Sequence, residues 1–119
     1  MTSTFPFKVA AAKAATDSAR QFIILAEVSG LDDYFKVFED YGYGGNGPSW
    51  REHIETIIEE YQPDLLDHLE FEEDDDTFVA YADSPTAVRQ FMEWVLPYFS
   101  DLGKLKKYLG QTDPGDFFA

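Results

Sequence analysis

The 119-residue chain has no cysteine, so it can form no disulfide, thiolate nucleophile or thiolate metal site. It is also poor in positive charge. Nine Lys and Arg stand against 23 Asp and Glu, giving a formal net charge of -14 and a pI near 4.2. Such a surface repels phosphate backbones and anionic headgroups, which disfavours nucleic acid and membranes as partners, and it speeds encounter with basic proteins. Long apolar runs are missing as well. No segment approaches the ~20 residues of a membrane span. Met1 to Phe7 lack the basic start and apolar run of a signal peptide, so a cytoplasmic site of action is expected.

Catalytic signatures are equally scarce. The only histidines are His53 and His68, and both are expected to be ordinary surface residues, His53 on the charged side of a helix and His68 just before a strand. No Gly-x-Ser-x-Gly elbow occurs. Arg51-Glu52-His53-Ile54-Glu55 does not match His-Glu-x-x-His, and the acidic stretch Glu70 to Asp76 lacks the ligand spacing, central glycine and terminal glutamate of an EF-hand loop. The glycine-rich loop lacks both the Gly-Lys-Ser/Thr ending of a P-loop and the third glycine of a dinucleotide fingerprint. Paired carboxylates carry no signal by themselves in so acidic a chain. No catalytic residue, metal or cofactor is therefore assigned, although a small carboxylate hydrolase stays as a third possibility.

What the chain does have is enough apolar material for a core: 45% hydrophobic and 17% aromatic residues. Its length suits a single domain spanning 1–119. Phe5 to Ala12 alternates apolar and polar residues and predicts a strand. A turn at Ala15-Thr16-Asp17-Ser18 leads to a second, apolar strand over Gln21 to Val28, expected to be buried on both faces. Leu31, Tyr34, Phe35 and Phe38 fall at helical spacing in a helix from Asp32 to Tyr41. After the loop Gly42 to Pro48, Ser49-Trp50-Arg51-Glu52 reads as a capping box. It opens a helix with Trp50, Ile54, Ile57, Ile58 and Tyr61 on one face and Glu52, Glu55 and Glu59 on the other. Pro63 ends that helix or starts a short piece through Leu65-Leu66. His68 to Glu72 and Thr77 to Ala82 form a hairpin across the turn Asp74-Asp75-Asp76. The last helix has Ser84 as its cap and Pro85 at its first position, with a kink or split at Pro97. A basic segment from Lys104 to Tyr108 closes it, and Gln111 to Ala119 is expected to be a loose tail. The fold class is α+β: a four-stranded, mostly antiparallel sheet of two hairpins with helices on one face, in the order ββααββα.

The placement of the charge is the most distinctive feature. From Glu52 to Asp76 there are twelve acids and no Lys or Arg. Glu52, Glu55, Glu59, Asp74, Asp75 and Asp76 are therefore candidates for an acidic partner-binding face, with a solvated helix face plus a charged turn as the competing reading. Tyr41, Tyr43, Asn46 and Trp50 flank or line the glycine-rich loop and join the candidate set, because tyrosine and tryptophan favour binding hot spots. Trp50 is also in register with Ile54 and Ile57, which points to core packing.

The segment Gly42-Tyr43-Gly44-Gly45-Asn46-Gly47-Pro48-Ser49-Trp50 resembles the Gly-Tyr-x-Gly-Asn-Gly-x-x-Trp pattern of the immunity protein 51 family. Phe35-x-x-Phe38 upstream and Phe71…Phe78-x-Ala80-Tyr81 downstream fit the same likeness, which runs from Phe35 to Tyr81. Gly44 departs from it, since the family often carries an acid there, and Pro48-Ser49 replaces a Tyr-Asp-like pair. The resemblance implies a bacterial immunity protein of a polymorphic toxin system, a non-enzyme that binds and neutralises a cognate toxin. The toxin's identity does not carry over. The alternative is an acidic adaptor or nucleic-acid mimic that binds another basic protein. Either could be a monomer or a homodimer.

Overall fold

In a computed structural model of the chain, residues 4–12, 20–72 and 74–112 are described. The expected turn at Ala15 to Ser18 and the tail beyond Thr112 lie outside them. Four strands form one sheet: β1 (Lys8–Ala11), β2 (Phe22–Ala26), β3 (Leu69–Glu72) and β4 (Phe78–Ala82), in the order β1-β2-β4-β3. Every neighbouring pair is antiparallel, with Ile24 opposite Val9 and Ala80, and Phe71 opposite Ala80. The expected pair of hairpins is thus joined through β2 and β4.

Alternation decides what each face of the sheet does. Ile24, Ala26, Phe78, Ala80 and Ala82 are buried beneath the helices. Their neighbours Ile23, Leu25, Val79 and Tyr81 lie on the opposite face and are half-buried. A run such as Phe22-Ile23-Ile24-Leu25 predicts a strand covered on both sides, and in this respect the prediction fails. The residues that make the run continuous face away from the helices. Arg20 spreads over Tyr81 on that face, with its guanidinium 4.7 Å from the ring centroid, and pairs with Glu70 at 2.6 Å.

The helices are α1 (Asp32–Asp40), α2 (Gly47–Tyr61), α3 (Pro85–Trp94), α4 (Leu96–Phe99) and α5 (Leu102–Leu109). Short 3-10 turns at Val28–Gly30 and Pro63–His68 precede α1 and β3. The predicted last helix is three helices. Pro97 cannot donate to the preceding turn, and the chain breaks between Trp94 and Leu96. Asp101 then starts a fresh helix, its carboxylate accepting from the Gly103 and Lys104 amides at 2.7 and 3.2 Å.

Local signals misplace two other boundaries. The first strand begins at Lys8, not Phe5, because Phe5 and Pro6 form a turn. Phe7 still enters the core, whereas Phe5 is exposed. The second helix begins at Gly47 with Asn46 as its cap, and the Asn46 side chain accepts from the Ser49 amide at 3.0 Å. The Ser49-x-x-Glu52 spacing is real, but Ser49 lies two residues inside the helix and is buried. Pro48 in the first turn is the signal that places the start earlier.

The core is unusually aromatic. Trp50 is fully buried, and the rings of Phe7, Tyr34, Phe38 and Phe99 surround it at centroid distances of 4.9 to 6.1 Å. Tyr61 does not join them. It is exposed at the end of α2 and stacks on Trp94 at 5.8 Å.

Candidate partner-binding face

The residues singled out in the sequence separate into two groups. Trp50 has no exposed surface and Tyr43 has 5%. Tyr43 packs edge-on against His53, with centroids 4.4 Å apart, and its hydroxyl pairs with that of Thr112. Asn46 is half-buried and occupied as the α2 cap. These three pack into or cap the structure around the loop, so Tyr43 and Trp50, named as contact candidates from the sequence, offer little or no surface to a partner. Tyr41 is partly exposed at the end of α1.

The carboxylates face outward. Glu59, Asp74, Asp75 and Asp76 are exposed, and Glu52 and Glu55 are half-buried. The acidic turn is tied to the start of α2: the Gly47 amide donates to the Asp75 carbonyl at 2.9 Å. The Ser29 amide donates to the Asp76 carbonyl at 3.0 Å, which anchors the same turn to the segment before α1. Two elements far apart in sequence are thereby joined. Arg51 reaches from α2 over the Phe71 ring at 5.4 Å and pairs with Glu55. Glu55 and Glu70 thus each have a cation, Arg51 and Arg20 respectively, that the uninterrupted acidic run did not foretell. Exposed pairs of this kind contribute little to stability, but they thin the charge on β3 and the first turns of α2.

A cleft of about 260 Å³ opens where α1, the glycine-rich loop and the acidic turn meet, lined by Ser29, Asp32, Phe35, Gly45, Asp75 and Asp76 among others. Gly45 has φ +72°, a left-handed conformation that glycine adopts without strain. A side chain there would also press on Phe35 at 3.1 Å. Phe35 was expected on the buried stripe of α1 but is 45% exposed beside three carboxylates. Sequence reading missed Asp32 and Phe35 as site residues. No spacing signal set Phe35 apart, since it lies four residues after Leu31 and three before Phe38, on the same stripe.

The histidines diverge. His68 is on the surface as expected, with Nδ1 2.7 Å from the Asp83 carboxylate, whose hydrogen bond and charge raise its pKa. His53 is fully buried, contrary to expectation, with Nδ1 3.0 Å from the Tyr108 hydroxyl. It lies one position from Glu52 but turns inward between Tyr43 and Phe38. Burial lowers its pKa from 6.5 to about 4. The unfolded chain therefore binds this proton more readily than the folded one. The resulting stability is complete above pH 6.5 and is lost as pH falls towards 4. Between pH 7 and 4.5, wild type should lose about 2 kcal/mol more stability in urea unfolding than His53→Gln. Parallel pH profiles for the two proteins would refute this account of His53.

Among the described residues, no three of His, Asp and Glu converge as a metal-ligand set, and no helix is long and apolar enough to cross a membrane. The sequence model of Immunity protein 51 matches residues 20–114. The chain belongs to the immunity protein 51 family. No curated protein and no solved structure matches it. The family match contains every described candidate residue, the Gly42 to Trp50 loop and the acidic turn, so the cleft of this immunity protein lies within the segment that defines the family.

Proposed function

We propose that this immunity protein binds a cognate basic toxin domain in the cytoplasm and neutralises it by occlusion, without turnover. The contacts are Glu52, Glu55 and Glu59 on α2 and Asp74, Asp75 and Asp76 on the turn. The cleft beside Asp32 and Phe35 receives a basic side chain: the three carboxylates meet its charge and the Phe35 ring covers its aliphatic stem. Tyr43, Asn46 and Trp50 act indirectly by fixing the loop. The observation that supports this reading is the anchoring of the acidic turn to the start of α2 through Gly47 and Asp75, which brings two acid-bearing elements next to each other. Membership of an immunity family supplies the kind of partner.

The test is recovery of the partner on tagged protein at moderate salt, followed by co-expression with it. A single dominant basic protein whose toxicity is abolished is the expected result. The combined Glu52→Lys, Glu55→Lys and Glu59→Lys variant should keep its fold, bind at least ~100-fold more weakly and fail to protect. Full protection by that variant would remove the acidic face from the mechanism. A diffuse set of basic proteins, all lost together on raising salt, would replace the cognate toxin with general charge attraction.

A further inference from the structure

The two edges of the sheet are built differently. β3 carries Glu70 and Glu72 and runs into the acidic turn, the kind of charge that keeps an edge from pairing. β1 carries no acid, and all four of its residues, Lys8, Val9, Ala10 and Ala11, are exposed. Its backbone polarity follows from one bond. The Ala12 amide donates to the Gln21 carbonyl at 3.0 Å. In an antiparallel ladder the residues that bond inward alternate, so Lys8 and Ala10 also face β2, while Val9 and Ala11 point their amides and carbonyls away from the sheet. Among the described residues nothing pairs with those four groups. Phe7 continues the same side but is already satisfied: its amide donates to the Thr4 carbonyl at 2.8 Å and its carbonyl accepts from the Thr4 hydroxyl at 2.8 Å. The open edge is therefore two residues wide in hydrogen-bonding terms.

We propose that this edge pairs with β1 of a second copy of the chain, antiparallel, about a two-fold axis through Ala10. In that register Val9 lies opposite the partner's Ala11, and Ala11 opposite the partner's Val9, so every outward amide and carbonyl of both strands is used. Centring on Val9 would instead set Ala11 opposite the partner's Phe7, whose groups are already taken.

Charge leaves this edge as the least repulsive approach for a second copy. Residues 1–16 contain no Asp or Glu, the longest acid-free tract of a chain with net charge -14. Two copies repel each other across their acidic faces, and this edge is where they can approach. Lys8 would stand opposite the partner's Ala12, so no like charges meet directly, and Lys8 is already paired with Glu27 at 3.3 Å. The side chains of Ala10 and Ala11 are small enough to let the backbones close. The result is a continuous eight-stranded sheet with the acidic faces on separate protomers.

Sedimentation of the full chain should show a dimer at ~100 µM that tightens with added salt, as screening relieves repulsion. Ala11→Pro removes an outward amide without touching the β1–β2 ladder, and an edge tolerates proline. It should keep the far-UV spectrum and weaken dimerisation at least ~tenfold. The absence of native cysteine permits a second test. Ala10→Cys places the two thiols on residues roughly 4.5 Å apart between Cα atoms, within disulfide reach, and should cross-link on mild oxidation. Ala11→Cys leaves its counterpart roughly 9 Å away and should not. A wild type monomeric throughout this range, or a dimer unaffected by Ala11→Pro, overturns the proposal. So does equal cross-linking of the two cysteine variants, which reads out the register even if the proline variant fails to fold.

Discussion

Gly47→Ala is expected to destabilise the protein by on the order of 3 kcal/mol or more, a large loss for a single added methyl group. A Cβ at Gly47 would sit 1.7 Å from the Asp74 carbonyl oxygen and 2.8 Å from that of Thr77. Both are backbone atoms of the hairpin turn and cannot swing aside as a flexible side chain can. The turn must move off the helix, taking with it the Gly47–Asp75 hydrogen bond. The variant should therefore show two effects in urea unfolding and partner binding: a lower midpoint, and weaker binding although no charge has changed. Gly30→Ala is the control, since nothing lies within 4 Å of the added atom. Equal behaviour of the two variants would show that the turn is not held against α2.

Trp50→Ala should cost about 4 kcal/mol, a large share of the 5–15 kcal/mol that a domain of this size has in total. The indole is the shared neighbour of Phe7, Tyr34, Phe38 and Phe99, and its removal leaves a cavity that four stiff rings cannot fill. The expected fall in melting temperature is on the order of 15 °C. Trp50→Phe keeps a ring in place and should cost far less. If Trp50→Ala melted like wild type yet lost partner binding, the tryptophan would belong to the binding surface after all.

The sheet, the hairpins and the helix-forming segments were legible because alternation and helical spacing reflect burial directly. Ile24 and Ala80 show this in the strands, and Ile54, Ile57 and Ile58 on α2. Boundaries were less so. Ser49 matches a capping box, yet Asn46 wins the cap because Gly47 and Pro48 already fit the first helical turn. The exposure of the acidic turn was legible in the sequence, and the burial of Tyr43, Trp50 and His53 was not. Three adjacent carboxylates at Asp74 to Asp76 with no cation in the run are costly to bury, whereas tyrosine, tryptophan and histidine suit core and surface alike. The sequence of Tyr43, Trp50 and His53 therefore does not tell which they choose. That the acidic turn would rest on the start of α2 depends on a backbone approach at Gly47, which has no local signature beyond the glycine itself.

The unequal edges of the sheet have a consequence for growth. A strand-built particle with two open edges is bifunctional, as a monomer is in polymer chemistry, and can add neighbours without end. This chain has one reactive end, at Val9 and Ala11. Its other end carries Glu72 and runs into the acidic turn Asp74 to Asp76, charge that disfavours pairing there. It behaves as a chain terminator, so association through strands stops after one step, and concentrating the protein should give a closed particle and not a fibre.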